Sequence, residues 1–314
     1  MTNHIEIKKV TFFSEGQTIG ADLYLPQHQA NSKTAAVVLC HGFGGIKEVF
    51  LPSFAKKFAE NGMVALCFDY RGFGDSDGQR GYLIPSNQHQ DIKNAITYIT
   101  SLDVVDRNKI ALWGSSFGGA NAIAVAASDH RVKALSVQLT FGSCARVMTA
   151  EMTSAEEKKL LDTINKAMTR EVTKNKALML NPDQILTDAE SKAVYQQLLV
   201  SHPEIQIKMP LSTLGRMYEF KPERFARDVN IPTIVIAAEN DIVCPASESE
   251  MLFDALGNNI AKKYVNISGA KHYDVYEGEY FNRSVEASLE WFNSYLVNFR
   301  ESAAAVSSDN FEDA

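Results

Sequence analysis

Three polar side chains and one glycine-rich loop have the types and spacing for nucleophilic catalysis. "ALWGSSFGGA", residues 111–120, fits G-x-S-x-G with Ser116 at its centre. It stands between an apolar strand-like run, "KIALW", and a small-residue helix pattern, the context a strained strand-to-helix turn requires. The residues two before and two after such a serine come close together, so Gly114 and Gly118 fit for want of side chains. Gly119 and Ala120 let the next helix approach the sheet, and its N-terminus favours developing negative charge. Ser115 falls at the x position and is expected to point elsewhere. "IVIAAENDIVCP" places Asp241 just past a buried strand, where a carboxylate can orient an imidazole; Glu239 is its rival. "NISGAKHYDVYEG" places His272 between the last strand and the last helix, with Asp274 as a competing acid or a loop tether. The chain order is nucleophile, acid, base. "VVLCHGFGGIKE" puts His41-Gly42-Phe43-Gly44-Gly45 directly after another buried strand, where backbone N–H groups can face a ligand. His41 itself reads as a structural hydrogen-bonder. His4, His28, His89, His130 and His202 lie in polar or terminal contexts, which predicts surface positions.

These residues need a scaffold that brings distant loops to one edge. "IEIKKVTFF" and "GADLYLP" read as strands joined by a turn in "SEGQTIG". "AAVVLC", "MVALCFDY", "KIALWG" and "ALSVQLT" read as strands buried on both faces, separated by helical patterns at 51–61, 86–102 and 116–129. From Ser143 to about Asp228 only helical patterns and polar connectors remain, and Thr187 with Glu190 opens one of them like a capping box. Strands then return at "NIPTIVIAAEND" and "AKKYVNIS", with helices at "SESEMLFDAL" and "NRSVEASLEWFNSYLVNF". Alternation of this kind means a mostly parallel sheet covered on both faces. The expected organisation is a core of residues 1–142 and 229–300, a helical cap of 143–228 over the strand ends, and a disordered tail of 301–314. The cap carries Met148, Met152, Met168, Met179, Met209 and Met217, whose soft side chains suit either its own core or an adaptable roof over an apolar substrate.

Composition narrows the classes. Hydrophobic residues make up 45% of the chain, charged residues 22%, and the net charge is −7. That balance gives no support to a nucleic-acid partner. No apolar run reaches the ~20 residues of a membrane span, and the first residues do not read as a signal peptide. Cys40, Cys67, Cys144 and Cys244 are widely spaced, which fits reduced, buried thiols in a cytoplasmic protein. No pattern suggests a metal, and the chemistry needs no cofactor.

"HGFGGIKE", "DYRGFGDSDG", "GSSFGG" and "KHYDVYEG" resemble the α/β-hydrolase superfamily over roughly residues 5–299, and within it the bacterial serine esterases related to dienelactone hydrolases. Dienelactone hydrolases proper carry a cysteine where this chain has Ser116. The resemblance implies an eight-stranded, mostly parallel α/β sheet with an inserted helical cap. It implies a triad of Ser116, Asp241 and His272, and an oxyanion hole from the backbone N–H groups of Phe43 and Phe117. Asp69, Arg71 and Asp75 then belong to a loop-organising motif. Related sequences usually have a glycine where Ala238-Glu239 stand, which keeps Glu239 open as the acid. The expected reaction is hydrolysis of a small-molecule carboxylic ester or lactone, macrolide-type lactones included. Thioester or peptide cleavage on the same fold, and a non-catalytic binding role, are the alternatives.

Overall fold

The computed structural model describes residues 5–27, 33–186 and 188–298. His4, His28, Thr187 and the expected tail of 301–314 lie outside the described residues. The chain opens with β1 (Glu6–Ser14), β2 (Gln17–Leu25) and β3 (Thr34–Cys40), then α1 (Leu51–Glu60) and β4 (Val64–Phe68). Next come α2 (Pro85–Thr100), β5 (Val105–Ser115), α3 (Phe117–Ala126) and β6 (Val132–Gln138). A helical excursion follows: α4 (Cys144–Thr149), α5 (Ser154–Lys174), β7 (Met179–Leu180), α6 (Pro182–Ile185), α7 (Ala189–Ser201), β8 (Met209–Pro210), α8 (Ser212–Tyr218) and α9 (Pro222–Ala226). The chain returns through β9 (Thr233–Ala238), α10 (Ala246–Ala255), β10 (Lys262–Ile267) and α11 (Gly278–Phe292).

Eight strands form one sheet in the order β1-β2-β4-β3-β5-β6-β9-β10. β1 and β2 form a hairpin closed by Glu15 and Gly16, both at positive φ (48° and 81°), as a two-residue turn between twisted strands demands. β2 meets β4 antiparallel, and every pairing from β4 to β10 is parallel. Parallel strands end on the same edge. Cys40 pairs with Gly114, Ser115 with Gln138, and Ala238 with Ile267. The loops that follow β3, β5, β9 and β10 therefore emerge side by side, at the edge where open α/β sheets place their sites.

Side-chain alternation feeds a core on each face. Ala36, Val38, Cys40, Ile110 and Leu112 join Ile92 and Ile96 of α2 and Ile123 of α3. Val37, Leu39, Ala111 and Trp113 join Phe54 and Phe58 of α1 and Phe281 and Phe292 of α11. α1 buries Leu51, Phe54, Ala55, Phe58 and Ala59, the i, i+3, i+4, i+7, i+8 stripe of a helix docked on a sheet. α3 is buried on every side, and its run of Gly and Ala is what lets it lie so close.

The excursion is mainly helical, as the sequence suggests, but it also holds the two-residue ribbon β7–β8, pairing Met179 with Pro210 and Leu180 with Met209. Two residues per strand carry too little alternation to show as a pattern. α5 stops at Asn175 in the left-handed conformation (φ 49°). Asp188 caps α7, accepting from the backbone of Ser191 at 2.7 Å. The lower helices join the sheet's own core: Ile164, Ala167, Leu214, Met217 and Phe220 belong to the cluster that includes α2 and α3. α7 does not. Its Tyr195 packs in a small satellite cluster with Ile46, Val49 and Ile205.

His89 departs from its expected surface position. Its neighbours Gln88 and Gln90 are polar, but Gln88 is buried and donation passes from Asn121 to it at 2.8 Å. His89 Nε2 lies 3.1 Å from Asn121 Oδ1, and its ring sits against Phe220 and Phe225. Burial pushes its pKa down to about 4. A histidine held neutral when folded takes up its proton more readily when unfolded, so its contribution to stability is complete above about pH 6.5 and is lost as pH falls toward 4. We expect urea midpoints to fall between pH 7 and pH 4.5. His89→Gln should show a smaller fall; an equal fall would mean that this ring does not contribute to the acid sensitivity.

Candidate active site

Ser116 begins at the backbone. It sits at φ 55° and ψ −124° between β5 and α3, a conformation that costs a side-chain-bearing residue about 1–3 kcal/mol and persists only where its surroundings fix it. Its N–H donates to the Gln138 carbonyl at 2.9 Å, and its own carbonyl accepts from Gly119 N at 3.0 Å. The glycines are needed on steric grounds. A Cβ on Gly114 would lie 2.5 Å from the Gly118 oxygen, and one on Gly118 would lie 2.1 Å from the Cys40 oxygen. A Cβ on Gly119 would meet Thr140 at 2.9 Å. Ser115 points away from the pocket's chemistry, into hydrogen bonds with Tyr276 Oη at 2.6 Å and Gln138 Nε2 at 3.1 Å.

The loops after β9 and β10 meet beside it. His272 Nδ1 is 2.7 Å from Asp241 Oδ2, with both residues buried. The other Asp241 oxygen accepts from the backbone N–H groups of Val243 at 2.8 Å and Cys244 at 2.7 Å. All of the carboxylate's bonds thus fix one orientation, and the imidazole inherits it. The two rival acids are elsewhere. Glu239 accepts from Ser268 Oγ and Gly269 N, both at 2.8 Å on the exposed surface. Asp274 accepts from Lys271 N at 3.0 Å and tethers its own turn. The hydrogen bonds of the described residues do not include one from Ser116 to His272; Ser116 Oγ instead rests 3.9 Å from Cys244 Sγ. Such bonds are often loose without a substrate and tighten around the reacting group.

Ser116 and His272 open on one pocket, which holds about 900 Å³ of empty space including its mouth. Its floor is Gly42, Phe43 and Ser116, one wall is Phe50, Tyr273 and Tyr276, and the roof is Leu186, Val194, Tyr195, Leu198, Ile205 and Met209 from the excursion. Of the six methionines singled out, Met209 alone lines it; Met217 is in the core, and Met168 and Met179 are each 38% exposed. No Asp, Glu, Lys or Arg is among the lining residues. Gly42 presses on Ser116, a Cβ there lying 3.3 Å from the serine's own. Among the described residues, neither Phe43 N nor Phe117 N is engaged by a protein acceptor, and Phe117 is the first residue of α3, where helical N–H groups lack partners. His41 packs edge-on against Tyr70, and burial pushes its pKa down to about 4.

Sequence reasoning passed over Lys47. It is 1% exposed, and its Nζ reaches Asp69 at 2.9 Å, Asp75 at 2.6 Å and Glu48 at 2.6 Å. Asp69 also accepts from the backbone of Lys47 and Asp75. This knot ties "HGFGGIKE" to "DYRGFGDSDG" and fixes the loop under the pocket. Arg71 fastens the second loop from its far side, to Asp91, Glu15 and Ser14. A lysine two residues after the last glycine of one loop, with three aspartates in the other, was the available signal.

Residues 31–279 match the family described as serine aminopeptidase, S33. The chain belongs to that family of α/β hydrolases. Over 288 residues it is 35% identical to an uncharacterized 31.7 kDa protein from the traX-finO intergenic region of Escherichia coli, covering 92% of this chain and 100% of that one. The quorum-quenching protein AidA of Acinetobacter baumannii is 28% identical over 291 residues, 90% of this chain and 93% of the relative. The solved structure of DcsB in complex with its substrate analogue superposes with a TM-score of 0.78 at 25% identity, covering 93% of this chain and 99% of that one. The fold is thus shared with that structure along nearly the whole chain.

The Lys47 knot makes a stability prediction. Removing the cation strands Asp69, which is fully buried, beside Asp75 and Glu48. Lys47→Met should cost about 3–5 kcal/mol in urea unfolding. Asp75→Asn, whose side chain is 65% exposed, should cost well under half of that. Equal losses would mean that the exposed partner matters as much as the buried one.

Proposed function

We propose that this S33-family protein is a serine hydrolase that cleaves a carboxylic ester or lactone with a bulky apolar part through an acyl-enzyme. One observation carries the reading: a serine on a strained turn, an aspartate-oriented histidine and two unspent backbone N–H groups converge on a pocket without charged side chains. In the proposed reaction His272 Nε2 takes the proton of Ser116 Oγ as that oxygen attacks the ester carbonyl. Asp241 holds the proton on Nδ1 and stabilises the imidazolium. The N–H groups of Phe43 and Phe117 hold the oxyanion. His272 then protonates the leaving alkoxide, and water, deprotonated by the same nitrogen, releases the acid.

The lining supports an ester or lactone over a peptide as the substrate class. An aminopeptidase must accommodate a charged amino terminus, and such a cation needs an acidic partner when it leaves water. No acidic residue lines this pocket. An apolar acyl chain or lactone ring makes no such demand, and the aliphatic roof and aromatic wall match it. The name of the Acinetobacter relative, a quorum-quenching protein, agrees with a small-molecule substrate.

Covalent labelling by a fluorophosphonate tests the nucleophile. The wild type should be labelled and Ser116→Ala should not. Ser116→Ala should also lose turnover of p-nitrophenyl esters by several orders of magnitude, as triad members do. Asp241→Asn should lower turnover by roughly 10³–10⁴-fold through the wrong imidazole tautomer, and Glu239→Gln by less than twofold. An unlabelled wild type would leave a binding protein on a hydrolase fold; a large loss from Glu239→Gln would move the acid role.

The roof sets selectivity in this reading. Leu198→Ala should reduce kcat/KM for a long-chain or macrocyclic substrate by about 10–200-fold, the range for altered apolar contacts. It should leave p-nitrophenyl acetate within about threefold. An unchanged ratio between the two substrates would place the specificity pocket elsewhere.

A further inference from the structure

The serine turn and the histidine turn are joined by one direct hydrogen bond that the reaction itself does not use. Ser115 precedes the nucleophile and shares its backbone turn. Tyr276 closes the short 3-10 turn Tyr273–Tyr276, and His272 is the residue from which that turn starts. Ser115 Oγ and Tyr276 Oη are 2.6 Å apart. Resting on the serine-hydrolase reading above, we propose that Ser115 and Tyr276 are positioning residues whose hydrogen bond sets Ser116 and His272 in reach of one another.

Both ends of this link are anchored. Ser115 Oγ also accepts from Gln138 Nε2 at 3.1 Å, and Gln138 Oε1 takes a hydrogen bond from Ser284 Oγ of α11 at 2.5 Å. The carbonyl of Gln138 receives the N–H of Ser116 at 2.9 Å. One glutamine therefore holds the nucleophile's backbone through its carbonyl and the neighbouring serine through its amide. At the other end the Tyr276 ring stacks on Phe50 with centroids 4.1 Å apart and planes 21° apart. Tyr273, at the start of the same turn, donates its hydroxyl to Ser191 of α7 at 3.0 Å. The histidine turn is gripped from below by Ser115 and from above by α7.

The consequence for chemistry is geometric. Ser116 and His272 come from loops 156 positions apart in sequence, and the hydrogen bonds of the described residues do not include one between them. Proton transfer needs heavy atoms within about 2.6–3.2 Å, and a misplacement of about 1 Å can cost about 100-fold in rate. A bond from the residue beside the nucleophile to the turn that carries the base restrains that separation. Both residues line the pocket, but their hydroxyls are spent on one another and neither touches the scissile group in the proposed reaction, so losing the bond should fall on kcat and leave substrate affinity nearly unchanged.

Tyr276→Phe removes the hydroxyl and keeps the stack on Phe50. Ser115→Ala removes the other end. Each should slow fluorophosphonate labelling and lower kcat for a p-nitrophenyl ester by about tenfold, a change of about one hydrogen bond's worth. KM should stay within about twofold. The double variant should be no slower than the slower single one, because both changes cut the same link. If Tyr276→Phe does not fold, Ser115→Ala makes the same rate and KM comparison alone. Unchanged labelling and kcat in a folded single variant, a loss that falls on KM, or losses that multiply in the double variant would each overturn the proposal. An unlabelled wild type would overturn the serine-hydrolase reading itself, and with it the need for any positioning.

Discussion

Everything at the pocket depends on how closely β3, β5 and α3 approach one another at the sheet's edge. The Gly118 Cα passes so near the Cys40 carbonyl that a single added carbon would stand 2.1 Å from its oxygen. That approach lets the chain turn from strand to helix within one residue, and it leaves Ser116 at positive φ with its side chain thrown clear. It also seats Gly42 against Ser116, so the loop after β3 can present its N–H groups to the same point. Looser packing here would permit ordinary side chains and would dissolve the site. The strain is borne by the surrounding core: α3 is buried on all sides, and the ends of β3 and β5 beside it are buried. The buried Lys47 knot continues the same logic one layer down, using charge in place of apolar contact to hold two loops that contain too many glycines to hold themselves.

Much of this was legible in the sequence because it is written in local signals. Continuous apolar runs such as "AAVVLC" read as buried strands, and they are. The parallel order then follows from alternation, and it brings Ser116, Asp241 and His272 to one edge without further information. The geometry separated Asp241 from Glu239 where sequence could not. The two are neighbours in the chain, but β9 ends at Ala238 and the turn beyond it sends Glu239 outward to Ser268 and Gly269 and Asp241 inward to His272.

What escaped reading was contact between distant polar residues. His89 looks exposed among glutamines until Asn121, Phe220 and Phe225 are brought to it from two other parts of the chain. Lys47 looks like a surface residue until the loop containing Asp69 and Asp75 closes over it. The methionines, read as either the excursion's own core or a roof, divide between the two, with Met217 in the core and Met209 in the roof. They are frequent in the excursion, yet the roof is mostly branched aliphatic side chains, and two of the methionines face outward. Frequency in a segment says nothing about which face of a helix a residue occupies.

The division of the excursion into two layers has a consequence for how a substrate enters. Its lower helices, α5 and α8, are continuous with the hydrophobic cluster of the sheet and can move only if the core opens. α7 rests instead on the satellite cluster of Ile46, Val49, Tyr195 and Ile205, and on the hydrogen bonds from Tyr273 to Ser191 and Glu190. Local opening is cheapest where few buried contacts are lost. The roof is thus hinged unevenly: one side is part of the foundation, and the other is a shutter held by a latch. That latch is fastened to the residue next to His272, so any opening of α7 would also loosen the turn that carries His272.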